Sequence, residues 1–232
     1  MRLQVFLSHN GVCSRRDAMD IIKAGRVKIN GQKNMEPSTN VTGQEEITVD
    51  GQMIESKDYT YIMLHKPAGY TTTKDDPYAI KTVMELLPTS MRHLSPVGRL
   101  DRDTEGLLLF TNDGTWSLAL THPKFHLNKT YVARLKGQLS QESKKKLELG
   151  IIMDGRKTAP CQIKDVRYNT GVTELLITIY EGRKRQVRTM FYLVGYKVLY
   201  LKRVAVGKLG LDRLELGKWR ALTPVEVKSL TV

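Results

Sequence analysis

The sequence predicts an α+β protein built as two units of unequal size. Strand-like and helix-like segments mix along the chain without the strict βαβ alternation of a doubly wound sheet. Residues 1–50 read as a compact unit with its own segregation of charge, and the polar stretch GQMIESKDYT (51–60) reads as a linker to a second unit, 61–232. The 232 residues, 41% hydrophobic and 26% charged, suffice for a small domain plus a medium one with a sizeable core.

In the first unit, Leu3, Phe6 and Leu7 make a short apolar helical face that ends near Gly11. Ser14 is placed to cap a second helix, with Asp17 three residues on as its reciprocal partner. Ala18, Ile21 and Ile22 follow at helical spacing, and Gly25 stands where a C-terminal glycine belongs. RVKING then reads as a strand entering a turn. Arg2, Arg15, Arg16, Lys23, Arg26, Lys28 and Lys33 face only Asp17 and Asp20 over residues 1–34, a local charge of +5. Over residues 1–58 eight bases balance eight acids, so a basic half is segregated from an acidic one at 36–58. Arg15, Met19 and Lys23 recur every four residues, and that face can present two cations to phosphates. A solvated helix face is the plainer alternative. The run RLQVFLSHNGVCSRRDAMDIIKAGRVKING resembles the S4 domain, a small RNA-binding module, and the resemblance implies contact with structured RNA through the helix pair.

In the second unit, YIMLHKPAGYTTT reads as a strand broken by Pro67 and Gly69, and GLLLFT as a buried strand. KTYVARLKG alternates like a strand, SQESKKKLELG reads as a helix and TELLITIY as another strand. RKRQVRTMFYLVG is amphipathic and helical, with Val187, Phe191 and Val194 on its apolar face and Gly195 at its end, before a last strand, KVLYLKRVAVG.

A net charge of +13 points to a polyanionic partner, nucleic acid first; a basic enzyme with a small-molecule substrate is the alternative. No apolar run approaches the roughly 20 residues of a membrane span, and no secretory signal is evident. Cys13 and Cys161 are far apart, so no disulfide framework is expected and a cytoplasmic location is the simplest.

The stretch VGRLDRDTEGLLLFTNDG concentrates Asp101, Asp103, Glu105 and Asp113 around an apolar run. A calcium loop would want a bidentate Glu where Asn112 stands. Asp113 reads as a turn residue, and Asp103 and Glu105 as loop-shaping residues. Asp101 differs: Arg99 and Arg102 flank it, and a loop carboxylate beside a rigid strand is well placed for chemistry. Lys129 and Tyr131 share a strand face that can bind a phosphate and stack on a base. Residues 181–203 hold seven bases against one acid, interleaved with Phe191, Tyr192, Tyr196 and Tyr200, a pattern suited to RNA; Phe191 itself reads as core. His122 and His126 are four apart but straddle Pro123, and no acids or cysteines join them at ligand spacing, so no metal is expected.

Together LHKPAGYTTT, PVGRLDRDTEGLLLFTNDG, KTYVARLKG, EGRKRQVRTMFYLVGYKVLYLKRVAVGKLGL and the coda LGKWRALTPVEV resemble the RNA pseudouridine synthases that carry an S4 domain and modify ribosomal RNA. The resemblance implies an S4-like domain at 1–50 and, at 61–232, a catalytic domain with a mixed, mainly antiparallel sheet. It implies Asp101 as essential carboxylate, Tyr131 as active-site tyrosine and Arg188 as the arginine pairing with the aspartate. It implies Lys129 as support for that site, with Arg99 and Arg185 as helpers; with the basic clusters, the expected RNA contacts are Arg2, Arg15, Arg16, Lys23, Arg26, Arg99, Lys129, Arg183, Lys184 and Arg185. Uridine isomerisation adds and removes no atoms, so no cofactor is expected. The implied partner is ribosomal RNA or a ribosome-assembly intermediate, large-subunit RNA being favoured over small-subunit, and the implied state is a monomer. The alternatives are a non-catalytic RNA-binding assembly factor and a metal-dependent nuclease using the acids of 101–113.

Overall fold

The computed structural model describes residues 1–122, 124 and 127–231. In the first unit α1 (Leu3–His9) and α2 (Arg15–Lys23) pack on a four-stranded antiparallel sheet of β1 (Val27–Ile29), β2 (Gln32–Asn34), β3 (Ile47–Val49) and β4 (Gln52–Met53). Leu3, Phe6, Leu7, Ala18, Ile22, Val27 and Ile47 close its core. Ser14 accepts from the Asp17 amide at 3.2 Å, as expected. The reciprocal bond from the Asp17 carboxylate is not formed; Asp is one methylene shorter than the Glu of a capping box. Asn30 and Gly31, both at positive φ, make the two-residue turn between β1 and β2. β4 pairs with β3, and the Ile54 amide bonds the Ile47 carbonyl. The small sheet therefore takes in residues expected in the linker.

The rest of that linker is pinned. His9 sets Nδ1 3.2 Å from the Asn112 carbonyl and Nε2 2.6 Å from that of Lys57. The Lys57 amide donates to Asn10 and the Thr60 amide to the Asn112 side chain. Asn112, weighed above as a failed calcium ligand, joins the two units.

The second unit contains β5 (Tyr61–Lys66), β6 (Ser95–Val97), β7 (Glu105–Thr111), α3 (Gly114–Thr121), β8 (Lys129–Lys136) and α4 (Gln141–Glu148). It continues through β9 (Ile152–Met153), β10 (Arg156–Lys157), β11 (Gln162–Asn169), β12 (Val172–Ile179), α5 (Gln186–Leu193), β13 (Val198–Val206), β14 (Leu209–Gly210), β15 (Trp219–Ala221) and α6 (Pro224–Ser229). Among the described residues one nine-stranded sheet runs β11-β12-β8-β13-β7-β5-β15, with β6 added on β7 and β14 on β13. Every described pairing in it is antiparallel except β13 with β7. β7 is buried on both faces, with Leu108 and Phe110 in one core and Leu107 and Leu109 in the other. Its continuous apolar run reflects this.

Several elements have no counterpart in the sequence reading, among them α3, β11, β9, β10, β15 and α6. The Trp and Leu residues of α3 lack a one-sided helical pattern, and β11 buries only Ile163. The β9–β10 hairpin and the strand–helix pair β15–α6 are too short for periodicity to reveal. Asp113, read as a turn residue, caps α3 by accepting from the Thr115 and Trp116 amides, and it also accepts from the Tyr61 hydroxyl. The helical pattern over RKRQVRTMFYLVG starts three residues late, because Arg185 at φ 52° precedes the first turn of α5.

At Gly106 β7 and β13 approach so closely that a Cβ would lie 2.1 Å from the Arg203 carbonyl oxygen, and φ is +113°. A side chain there meets backbone on a conformation that L residues avoid. Gly106→Ala is expected to lower the unfolding free energy by at least about 2 kcal/mol, read from urea denaturation; an unchanged midpoint contradicts this packing.

Candidate active site

The loop from Gly98 to Thr104 joins β6 to β7 and carries Asp101 into a cavity of about 660 Å³. That volume lies in the range of small-molecule and nucleotide sites. Arg99, Tyr131, Lys129, Lys184, Arg185 and Arg203 are among the residues around it. Three segments distant in sequence hold this loop.

The first is the end of β5. Lys66 is fully buried, and its Nζ donates to the carbonyls of Pro67 (3.0 Å), Asp101 (3.1 Å) and Thr104 (2.9 Å), with Arg102 at 3.4 Å. Burial pulls the ammonium down to about 8, while Asp103, Asp101 and Glu105 favour its charged form. The second is the segment after Pro67. The Gly69 amide donates to the Arg102 carbonyl, and the Thr72 hydroxyl donates to the Leu100 carbonyl at 2.7 Å. The third is α5 with the residue before it. Arg185 grips the Asp103 carboxylate with two bonds of 3.0 Å. Arg188 places Nε 3.3 Å from the same carboxylate and donates to the Asp103 and Val198 carbonyls.

This corrects one expectation. Arg188 pairs with Asp103, not Asp101, because Asp103 is the loop carboxylate directed at the start of α5. Partial burial opposes ionisation of Asp103, but the Arg185 bonds and both guanidinium charges outweigh it and hold the carboxyl below its usual range. The Asp101 carboxylate takes no hydrogen bond or ion pair from the described residues, and its charge acts on Arg188 and Arg185 only through space. Tyr131 is 8% exposed and lines the same cavity, and its hydroxyl has no partner among the described residues. Asp101 and Tyr131 are thus brought together with free functional atoms, while Arg188 braces the backbone between them and α5.

The expected RNA contacts divide. Arg2, Arg15, Arg16 and Lys23 are exposed on the first unit, and Arg99 and Lys184 at the cavity. Lys129 is partly buried, its ammonium on the Leu127 carbonyl. Arg26 is engaged bidentately by Asp50, and Arg185 by Asp103. Arg183 donates to the carbonyls of Met153, Arg156 and Lys157 and lies 3.3 Å from Glu181, so it ties the β9–β10 hairpin to the cavity wall. Lys66 and Arg203 went unassigned in the sequence reading. For Lys66 the signal is a cation closing an apolar strand run, YIMLHK; for Arg203, inside KVLYLKRVAV beside Lys202, no local signal sets it apart.

Among the described residues no three His, Cys, Asp or Glu gather as a metal site. His126, half of the histidine pair considered for zinc, lies outside the described residues. No described helix is long and apolar enough to cross a membrane.

A family model described as RNA pseudouridylate synthase matches residues 60–192, and an S4 domain model matches residues 1–47. The chain is 43% identical to the ribosomal large subunit pseudouridine synthase B of Bacillus subtilis, over 99% of this chain and 95% of that one. It is 36% identical to the ribosomal small subunit pseudouridine synthase A of Vibrio vulnificus, over 99% of both chains. A crystal structure of a pseudouridylate synthase superposes with a TM-score of 0.71 at 33% identity, covering 99% of each chain.

The buried ammonium gives a signed test. An unfolded lysine keeps its proton to about pH 10.4. The folded value near 8 is lower, so between these limits the unfolded chain holds more protons and stability rises with pH. Wild type is therefore expected to gain on the order of 2 kcal/mol relative to Lys66→Met between pH 8 and pH 10, read from urea denaturation. A difference independent of pH shows that the ammonium is not desolvated.

Proposed function

The chain belongs to the RNA pseudouridylate synthase family, and from that premise we propose that it isomerises a uridine of ribosomal RNA, with Asp101 as the essential carboxylate. The observation that carries the assignment is the partnerless Asp101 carboxylate beside Tyr131 in a cavity whose loop backbone is bonded from three directions. A group engaged in chemistry needs free lone pairs and a fixed backbone, and this loop supplies both.

In the reaction N1–C1′ breaks, C5–C1′ forms, a proton leaves C5 and one arrives at N1. Nothing is gained or lost overall. The base must leave its stack, at a cost of a few kcal/mol in a duplex and less in a loop. Binding the flanking backbone to the exposed cations Arg99 and Lys184 offsets part of that cost. Asp101 then faces the sugar as a carboxylate. Whether the bond is opened by attack at C1′, by attack at C6 or by proton abstraction at C2′, the step requires that ionised group. Tyr131 is placed to stack on the detached base and to assist removal of the C5 proton.

Large-subunit RNA is the favoured target. The supporting observation is that the large-subunit relative from B. subtilis is more similar to this chain than the small-subunit relative from V. vulnificus. The first unit supplies a second RNA contact, with Arg15, Arg16 and Lys23 exposed along α2.

Asp101→Asn is expected to lower pseudouridine formation in ribosomal RNA by at least about 10³-fold while RNA affinity stays within about threefold. Appreciable turnover by this variant would sink the assignment. Arg15→Glu combined with Lys23→Glu is expected to weaken RNA binding by about tenfold and to flatten its salt dependence, with kcat at saturating RNA preserved. Unchanged affinity contradicts the role given to α2.

A further inference from the structure

Arg203 is the most deeply buried cation facing the cavity. It is 5% exposed and sits on β13 opposite Tyr131 of β8 and Gly106 of β7. Its Nε donates to the Leu107 carbonyl at 2.8 Å. Among the described residues no carboxylate lies within ion-pair distance and no acceptor meets the two terminal nitrogens, which are not among the fully buried unpartnered atoms and so open onto the cavity. Lys129 has the same deficit on the same wall: its ammonium bonds only the Leu127 carbonyl. Burial pulls Lys129 down, and the Arg203 charge pulls it further, so two like charges share a poorly solvated surface. The acids that line the cavity do not compensate them. Glu181 is taken by Gln186, the Ala159 amide and Arg183, and Asp101 is not within ion-pair distance of either cation.

Buried charges in folded proteins are paired, since an uncompensated one costs several kcal/mol of desolvation. The other buried or partly buried cations at the loop are compensated: Arg188 is paired with Asp103, and Lys66, which has no carboxylate at ion-pair distance, has its ammonium on the carbonyls of Pro67, Asp101 and Thr104. Arg203 and Lys129 lack a countercharge in the protein, and both face the space where the substrate enters.

We propose that Arg203 and Lys129 form a subsite for one phosphodiester adjoining the flipped uridine. The proposal rests on the reading of the chain as a pseudouridine synthase and adds a recognition element to it. A guanidinium can hold two phosphate oxygens at once, and a lysine beside it adds a point charge. The bound phosphate would fix the sugar of the same nucleotide relative to Asp101, and because it touches no base edge the subsite is indifferent to sequence.

The test uses the full-length protein and small probes: uridine, its 5′-methylphosphate, its 3′-methylphosphate and inorganic phosphate, with binding read from NMR titration. At least one ester is expected to bind about tenfold more tightly than uridine, and the ester that does so identifies the side on which the phosphate lies. Inorganic phosphate is expected to compete with that ester and not with uridine. Arg203→Met is expected to bring the ester to the affinity of uridine, Arg203→Lys to keep part of the gain, and Lys129→Met to lose part of it. Should Arg203→Met fail to fold, Lys129→Met and the wild-type comparison of ester with uridine decide. A wild type that binds ester and uridine equally, or an Arg203→Met protein that still separates them, overturns the proposal. Pseudouridine formation by the same wild-type preparation is measured alongside. Turnover without ester discrimination refutes the subsite alone, and discrimination without turnover refutes the activity alone.

Discussion

The site depends on one ammonium group surrounded by carbonyls. Lys66 Nζ reaches the carbonyls of Asp101, Thr104 and Pro67, and it does so from the last position of a strand whose preceding residues are buried. Each bond to a charged donor is stronger than a neutral one. Their convergence fixes several peptide planes of the 101–104 turn together. A carboxylate on that turn then has its direction set without any bond to the carboxylate itself. This is the arrangement a reactive group needs, because a partner that oriented Asp101 by gripping its oxygens would also occupy them.

β7 carries the consequence across the molecule. The loop with Asp101 enters at its start, and Asn112, which bonds His9 and the linker, follows its end. Seven residues of strand separate the two, roughly 23 Å at 3.3 Å per residue. Both faces of the strand are buried in separate cores, and Gly106 lets β13 lie against its first turn of pleat. The S4 unit and the loop that carries Asp101 are thus attached to opposite ends of one rigid element. A shift of the first unit relative to the cavity would have to bend a strand packed on two sides.

Much of this was legible. The continuous apolar run of GLLLFT read as a buried strand, and the alternation in KTYVARL placed Lys129 and Tyr131 on one face. The apolar face of α5 and its buried Phe191 followed from spacing alone. Other features were hidden because they are tertiary. Nothing local in HKPAG tells that a lysine will turn inward to carbonyls 35 residues away. Nothing in RKRQVR distinguishes Arg188, which takes Asp103, from a partner of Asp101 two residues earlier in the chain. β11 escaped notice because an edge strand with one buried residue has no hydrophobic period to read.

The division of the arginines shows why a net charge of +13 is a poor map of where RNA sits. Arg26, Arg185, Arg188 and Arg220 are matched to Asp50, Asp103 and Glu226, and Arg183 is consumed by three carbonyls and Glu181. These residues look identical in sequence to the exposed Arg15, Arg16 and Arg99, yet their donors are already spent on the fold. What remains for a polyanion is the surplus: exposed cations along α2 and at the cavity rim, where water screens each contact, and the two less exposed ones on its wall. On the proposed function the exposed set governs how strongly the RNA is held and how salt weakens that hold. On the proposed phosphate subsite, Arg203 and Lys129, less exposed than the rim cations, set where a single nucleotide stops, since a charge in a lower dielectric discriminates sharply over short distances. On this proposal affinity and position are assigned to different cations, the rim and α2 set to the first and the cavity-wall pair to the second.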